Sequence, residues 1–187
     1  MHGRFPRLEQ ALASSPVIDK NGYPYFINPI SDGIPKVNPE LLEEVRDGLL
    51  ELCGDDFDVL LAPEAMGIHI ATAMSLSCRK PFSVIRKRRY GIPGEIEVQY
   101  RTGYSESKMY VNGISEGERV VIVDDVVSTG GTLTALSREL SSHGIEVVRA
   151  VIVFDKTKDM QEVLDRTGID IRTMIRVEVR DGRPVVL

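Results

Sequence analysis

Val120-Val121-Ile122-Val123-Asp124-Asp125-Val126-Val127-Ser128-Thr129-Gly130-Gly131-Thr132 joins an apolar run, two adjacent carboxylates and a small-residue loop in thirteen positions. The run Val120 to Val123 is β-branched and continuously apolar, as expected of a strand buried on both faces of a parallel sheet covered by helices. Asp124 and Asp125 then fall at its carboxyl end. In open α/β sheets ligands bind in the crevice outside the strands' carboxyl ends, which gives these costly charges a place to act. Ser128 and Thr129 supply hydroxyls, and Gly130 and Gly131 let backbone approach a ligand closely. Leu133 to Leu140 reads as the start of a helix, so amide N–H groups converge on an anion. The motif points to a phosphorylated sugar, whose monophosphate fits that cradle.

Two other phosphate-binding loops are excluded directly. A P-loop requires a Gly-Lys-Ser/Thr ending, and a dinucleotide fold requires spaced glycines opening its first helix; neither is present.

Working outward, strand and helix patterns alternate. Arg7 to Ala13 has helical spacing, broken by Ser14-Ser15-Pro16, and Val17 to Ile30 reads as irregular extended chain punctuated by Gly22, Pro24 and Pro29. Pro39 opens an amphipathic helix, with Asn38 as its expected N-cap and Gly54 near its end. Phe57 to Ala62 predicts a strand, Gly67 to Ser77 a helix and Phe82 to Arg86 a strand. Past the central motif come a strand over Val147 to Phe154, a helix around Asp159 to Arg166 and a strand over Ile171 to Val179. Alternation of this kind predicts an α/β fold with a mostly parallel central sheet flanked by helices. Arg89 to Asn112 has no clear pattern, and long irregular intervals inside compact domains are often lids or binding loops.

The 187 residues suit one domain, 1–187, and 42% hydrophobic with 27% charged residues is ordinary for a globular protein. A net charge of -5 argues against general nucleic-acid affinity, which needs clustered Lys and Arg. No apolar run approaches the roughly 20 residues that span a bilayer, and no signal-peptide core follows the amino terminus, so no membrane partner and a cytoplasmic location are expected. Cys53 and Cys78 lie far apart in apolar helical patterns and read as buried free thiols. His2, His69 and His143 have no metal-ligand spacing.

The central motif resembles the PRPP-binding motif of the type I phosphoribosyltransferases: four apolar residues, two acids, two apolar residues and a short Thr-Gly loop. The resemblance implies that fold, with a small hood over 14–37 and a flexible lid over 89–112. It also implies that Asp124 and Asp125 accept hydrogen bonds from the ribose hydroxyls while Val127, Ser128, Thr129, Gly130, Gly131 and Thr132 wrap the 5-phosphate. Magnesium would bridge ribose and pyrophosphate, with the two aspartates meeting it through ribose or water. Glu64, Ala65, Met66 and Gly67, between a strand and a helix, look like the family's pyrophosphate loop, and amides at a helix start suit an anion. Arg86-Lys87-Arg88-Arg89 follows a strand opening into the same crevice, and Arg86 and Lys87 are the expected pyrophosphate contacts. The lid, through Tyr100, Thr102, Gly103, Tyr104, Ser105 and Lys108, would exclude water from a reacting sugar cation.

Over nearly the whole chain the sequence resembles the archaeal purine-salvage group called hypoxanthine/guanine phosphoribosyltransferases. The residues that carry this are Phe-Ile-Asn-Pro-Ile-Ser-Asp-Gly-Ile-Pro (26–35), Glu-Ala-Met-Gly-Ile (64–68) and Ile-Arg-Lys-Arg (85–88). The activity implied is transfer of phosphoribose from PRPP to hypoxanthine or guanine, with adenine, xanthine or a PRPP-sensing regulator as alternatives. A homodimer is the family expectation. Phe26, Asp155 and Lys156 fall where purine enzymes read the base, and a lysine, having donors only, favours a 6-oxo acceptor over a 6-amino group. Ser128 stands where many hypoxanthine-guanine enzymes carry an acid, and Gly103 where adenine enzymes carry a Glu. Glu95, Glu97, Asp155 or a water is left to handle the purine proton.

Overall fold

A computed structural model describes residues 3–20, 22–102 and 105–187. Its six-stranded sheet has the order β10-β9-β8-β7-β3-β4, built from β3 (Val59–Pro63), β4 (Phe82–Ile85), β7 (Arg119–Val127), β8 (Glu146–Asp155), β9 (Asp170–Arg180) and β10 (Arg183–Val186). All neighbours are parallel except β10, which pairs antiparallel to β9 at one edge. This is the mostly parallel arrangement expected; β10 is an addition, its four residues too short for pattern alone to reveal. The helices are α1 (Pro6–Ala13), α2 (Pro29–Asp32), α3 (Pro39–Cys53), α4 (Gly67–Cys78), α5 (Gly131–Ser142) and α6 (Met160–Thr167). Among the described residues no helix is long and apolar enough to cross a membrane.

The two-residue period of the central strands divides the core into two layers. Val121 and Val123 of β7, Leu60 and Ala62 of β3, and Val151 and Val153 of β8 join one cluster with Leu8, Leu12, Val45, Leu49, Ile70 and Met74 of α1, α3 and α4. The intervening Val120, Ile122, Val59, Leu61, Ala150 and Ile152 join the other with Leu133, Leu136 and Leu140 of α5. Burial on both faces is why these strands read as continuous apolar runs. Gly67 makes one contact in this packing possible: a Cβ there would stand 2.7 Å from the Val123 carbonyl oxygen, so only glycine lets α4 close onto β7.

Both intervals expected to be irregular contain antiparallel pairs. β1 (Val17–Lys20) pairs with β2 (Tyr23–Phe26), Val17 opposite Phe26 and Lys20 opposite Tyr23. Pro24 is tolerated because it lies on a two-stranded edge with no ladder to interrupt on its outer side. β5 (Ile96–Thr102) pairs with β6 (Ser105–Val111), and Ile96, Val98, Met109 and Val111 pack into the second core layer beside α5. An isolated antiparallel bridge between Arg86 and Tyr110, with bonds of 2.9 and 2.6 Å, ties this pair to the end of β4. Asn38 precedes α3 but its side chain makes no capping hydrogen bond, contrary to expectation; Pro39 at the first position sets the helix start instead. Asp159 does cap α6, accepting from Gln161 and Glu162 amides. Cys53 is buried and its thiol is pushed up to about 11, chiefly by burial, whereas Cys78 is half-buried rather than buried; both are free.

Candidate active site

The carboxyl ends of β3, β4 and β7 converge on a cavity of about 180 Å³ lined by Pro63, Glu64, Ile85, Lys87, Tyr100, Met109, Asp124 and Thr132. Four separately predicted segments meet here: the acid pair, the loop before α5, the loop after β3 and the basic run after β4. Met109 on β6 was not foreseen at the site. A larger cavity of about 640 Å³ lies between α1 and the segment leading into α3, with Arg7, Ser14, Lys36 and Asn38 in its wall. It gathers no adjacent pair of aspartates, so chemistry rather than size selects the smaller one.

Asp124 and Asp125 extend β7 past its buried core, and both are half-buried. Asp124 Oδ1 accepts the Asp125 amide at 2.9 Å. Removal from water, then the charge of Asp125, pushes the Asp124 carboxyl well above the usual range, and the positive charge of Lys87 opposes this. Asp125 is raised mainly by burial as well, with Asp32 among the nearby charges. Such a pair is built to receive hydroxyl donors or a cation. Carboxylate oxygens are hard donors that suit magnesium. Among the described residues no group of three or more His, Cys, Asp and Glu forms a metal cage, so a magnesium ion here would bring most of its oxygen ligands with the substrate.

The loop from Val127 to Thr132 turns into α5 through Gly130, whose φ of 70° is left-handed. A Cβ on Gly130 would lie 2.4 Å from Val163 Cγ1 on α6, so packing and φ both demand glycine. The first-turn amides of Gly131, Thr132 and Leu133 have no acceptors within the helix, Gly131 reaching only the Thr129 hydroxyl at 3.5 Å, which suits this turn to an anion. Ser128 and Thr129 are exposed. Lys156 N–H donates to the Val127 carbonyl at 2.8 Å and the Arg166 guanidinium donates to the Thr129 carbonyl, an interaction the sequence reading missed.

Opposite, the Glu64–Ala65 peptide is cis. Glu64 accepts the Lys87 amide at 2.6 Å and the Arg86 guanidinium at 3.0 Å, and these bonds, the amide first, hold its carboxyl below the usual range. The Arg86 guanidinium thus faces Glu64, Lys87 lines the cavity and Arg88 and Arg89 are exposed. Ala65 is exposed, Met66 half-buried, and Gly67 packs on β7.

The segment from Ser15 through β2 and α2, expected to form the hood, is fixed by polar bonds among residues the sequence reading left unassigned. Asn28, fully buried, accepts the Ile30 amide and donates to Ser15, while Asp32 accepts the Asn28 amide and the Tyr25 hydroxyl at 2.7 Å. Phe26 is only 2% exposed, its ring edge against Phe154 at a centroid distance of 5.5 Å. Phe26 thus joins the core, with the Lys156 side chain covering it. Over it lies the Lys156 ammonium, 4.8 Å from the Phe26 centroid, 4.8 Å from Tyr23 and 5.5 Å from Tyr25. Asp155 is buried and its Oδ1 accepts both the amide and the hydroxyl of Thr157 at 2.7 Å, so it shapes the turn that presents Lys156.

Lys108 forms a 2.7 Å ion pair with Glu97, and Glu95 accepts from the amides of Tyr90 and Gly91 and from Asn112. The three carboxylates named for the purine proton therefore all carry structural bonds. Tyr104 and Gly103 lie outside the described residues. His69 sits in α4; burial holds its imidazole below the ordinary value and its Nε2 has no partner, in keeping with a helix interior position.

Residues 36–178 match a family model described as the phosphoribosyl transferase domain. A hypoxanthine/guanine phosphoribosyltransferase of Methanothermobacter marburgensis is 48% identical over 183 residues, covering 96% of this chain and 95% of the relative. An HGPRTase-like protein of Halobacterium salinarum is 47% identical over 182 residues, covering 97% and 96%. Among solved structures, the adenine phosphoribosyltransferase of Saccharomyces cerevisiae is similar with a TM-score of 0.73 at 21% identity, covering 89% of this chain and 96% of that one. At that identity the likeness speaks for the fold alone.

Proposed function

This chain belongs to the phosphoribosyl transferase family, and we propose that it is a purine-salvage enzyme converting hypoxanthine or guanine and PRPP to the nucleoside 5'-monophosphate and pyrophosphate. The single observation that carries the reading is the meeting of Asp124, Thr132, Glu64 and Lys87 around one cavity: diol acceptors, a 5-phosphate cradle and a diphosphate site in contact.

In the reaction a purine ring nitrogen bonds to C1 of the ribose as the C1–oxygen bond to pyrophosphate breaks, and the sugar carries positive charge between the two events. Asp124 and Asp125 accept the 2- and 3-hydroxyl hydrogens and fix the ring. The amides at the start of α5, with the Ser128, Thr129 and Thr132 hydroxyls, hold the 5-phosphate at the other end. Lys87, Arg86 and the loop from Glu64 to Gly67 receive the departing diphosphate. Magnesium, when bound, neutralises diphosphate charge. The β5–β6 pair, carrying Tyr100 and Lys108, covers the cavity from the side of α5 and keeps water from the sugar. The Lys156 ammonium, presented between the hood rings, donates to a 6-oxo group; an amino group at that position offers it nothing. No residue needs to act as a covalent nucleophile.

The reading includes a homodimer. Supporting it, α4 carries no charged residue across its twelve positions, and its outer face, with Ile68, Thr72, Ala73 and Leu76, is apolar beside Ala65 of the diphosphate loop. A helix with no charged side chain and exposed Leu76 on its outer face is suited to cover by a second surface.

The test is incubation with PRPP, magnesium and hypoxanthine, guanine, adenine, xanthine or orotate, with the nucleotide product identified. Formation of IMP and GMP is expected. Preference for adenine would overturn the base assignment, and turnover of orotate alone would overturn the purine reading.

A further inference from the structure

The loop that cradles the 5-phosphate is anchored on its outer side by two bonds, and one comes from a side chain on a different helix. The Val127 carbonyl accepts the Lys156 amide at 2.8 Å, and the Thr129 carbonyl accepts the Arg166 guanidinium. In a planar trans peptide the N–H points opposite to the carbonyl. Turning the Val127 and Thr129 carbonyls outward, toward β8 and α6, therefore turns the Ser128 and Gly130 amides inward, toward the anion. The backbone bond from Lys156 belongs to the β7–β8 junction and fixes the loop's first peptide. Nothing comparable in the backbone fixes the Thr129–Gly130 peptide; Arg166 does.

Three observations place Arg166 for this work. It lies in the last turn of α6, which packs under the loop so tightly that a Cβ on Gly130 would meet Val163 at 2.4 Å and the Arg166 Nη2 at 3.3 Å. Its guanidinium is steered along the helix by Glu162, 3.6 Å away at i, i+4. The side chain remains about two-fifths exposed, so the hydrogen bond to Thr129 is not a core contact that folding alone would require.

We infer that Arg166 is a positioning residue for PRPP: it holds the Gly130 amide in its phosphate-facing orientation and adds a positive charge behind the phosphate. It touches neither the base nor the diphosphate, so its effect is confined to ligands with a 5-phosphate. This rests on the phosphoribosyl transfer reading above.

The experiment compares wild type with Arg166→Ala and Arg166→Lys in steady-state kinetics for PRPP and hypoxanthine, and in calorimetry with ribose 5-phosphate. For Arg166→Ala, the KM for PRPP and the Kd for ribose 5-phosphate rise about tenfold, the size of one lost charge-assisted hydrogen bond. The kcat stays within about twofold, and so does the KM for hypoxanthine. Arg166→Lys, which keeps charge and donors on a long side chain, recovers most of the loss. Unchanged ribose 5-phosphate affinity in Arg166→Ala, or an equal rise in both KM values, overturns the inference. If Arg166→Ala does not fold, the lysine variant decides: a folded Arg166→Lys with wild-type affinity for ribose 5-phosphate supports the role of charge and donors, and one that folds but binds no better than tenfold worse refutes it. A wild-type protein that forms no nucleotide from any base instead defeats the functional reading itself, whatever the variants do.

Discussion

The Glu64 carboxylate lies 3.0 Å from the Arg86 guanidinium, joining the carboxyl ends of β3 and β4 across the mouth of the proposed diphosphate site. The same carboxylate takes the Lys87 amide at 2.6 Å, so one acid sets both the direction of Arg86 and the backbone that aims Lys87 into the cavity. A negative group in a site for an anion would repel its ligand if it were free. Here its charge is already matched, and its function is to hold cations in place.

Glu64→Ala therefore weakens diphosphate binding even though it removes a negative charge. The expected result is a rise of about tenfold in the KM for pyrophosphate in the reverse reaction. A fall in that KM would show that Glu64 acts by repulsion. Because hydrogen bonding to the Lys87 amide depresses the Glu64 carboxyl, its contribution is fully present above the ordinary carboxylate range near 4.3. It is lost only as pH falls through the lower, folded value. The tie thus persists across the neutral range, and the KM gap between wild type and variant is flat from pH 6 to pH 8.

The acid pair carries the opposite sign. Burial raises the Asp124 carboxyl, and Asp125 raises it further. A raised acid ionises first in the unfolded chain, so stability falls as pH climbs from the unfolded value, about 3.9, through the folded one. Asp124→Asn removes that penalty. Melting temperature at neutral pH should rise, by about 2–4 °C for each kcal/mol relieved, while kcat/KM falls by about 10²–10³. A variant with lowered melting temperature and retained turnover would contradict both halves of the argument.

Base choice turns on Lys156. Its ammonium lies over the Tyr23 and Phe26 rings at 4.8 Å, close enough for cation–π attraction of about 0.5–1 kcal/mol at an exposed site. Lys156→Ala should lower the hypoxanthine-to-adenine ratio of kcat/KM by about tenfold or more, because the lost donor serves only the 6-oxo base. Tyr23→Leu, which loosens the cage without removing the donor, should raise the hypoxanthine KM by only about two- to fivefold. Competition assays with both bases present measure the ratio directly, and an unchanged ratio in Lys156→Ala would remove the residue from base recognition.

How much of this was legible follows from how local each signal is. β7 was readable because Val120 to Val123 are buried on both sheet faces, so apolarity is continuous in the sequence itself. The same strand displays Asp124 and Asp125 at its end, and glycines mark the turn after it. The β1–β2 and β5–β6 pairs were not readable. Their ladders depend on partners and docking surfaces supplied elsewhere, and Ile96 and Val98 look like scattered apolar residues until Met109 and Val111 are set beside them. The packing of Phe26 was hidden for a related reason: nothing local reveals that Phe154, 128 positions later, closes over its edge. The partners of Glu64 and Arg166 are likewise side chains whose neighbours only the fold decides.

Gly67 offers a test of the fold and the site together. Its importance is one of space: a Cβ would lie 2.7 Å from the Val123 carbonyl oxygen and 3.3 Å from Pro63, and a strand carbonyl cannot move aside as a flexible side chain can. Gly67→Ala should therefore cost about 1–3 kcal/mol by overpacking and push the start of α4 away from β7. That displacement carries the loop from Glu64 to Met66 with it, so kcat/KM for PRPP falls along with the melting temperature. Gly182, in the turn before β10, is the counterpart. Its φ of 71° strains any side chain, yet nothing lies within 4 Å of its Cβ position. Gly182→Ala should cost about 1–2 kcal/mol for the left-handed backbone and leave the kinetics alone. Thermal melts and PRPP kinetics on the two variants separate the effects. Equal stability loss with equal activity loss would mean that stability alone governs turnover, and that the contact between α4 and β7 does not set the diphosphate loop.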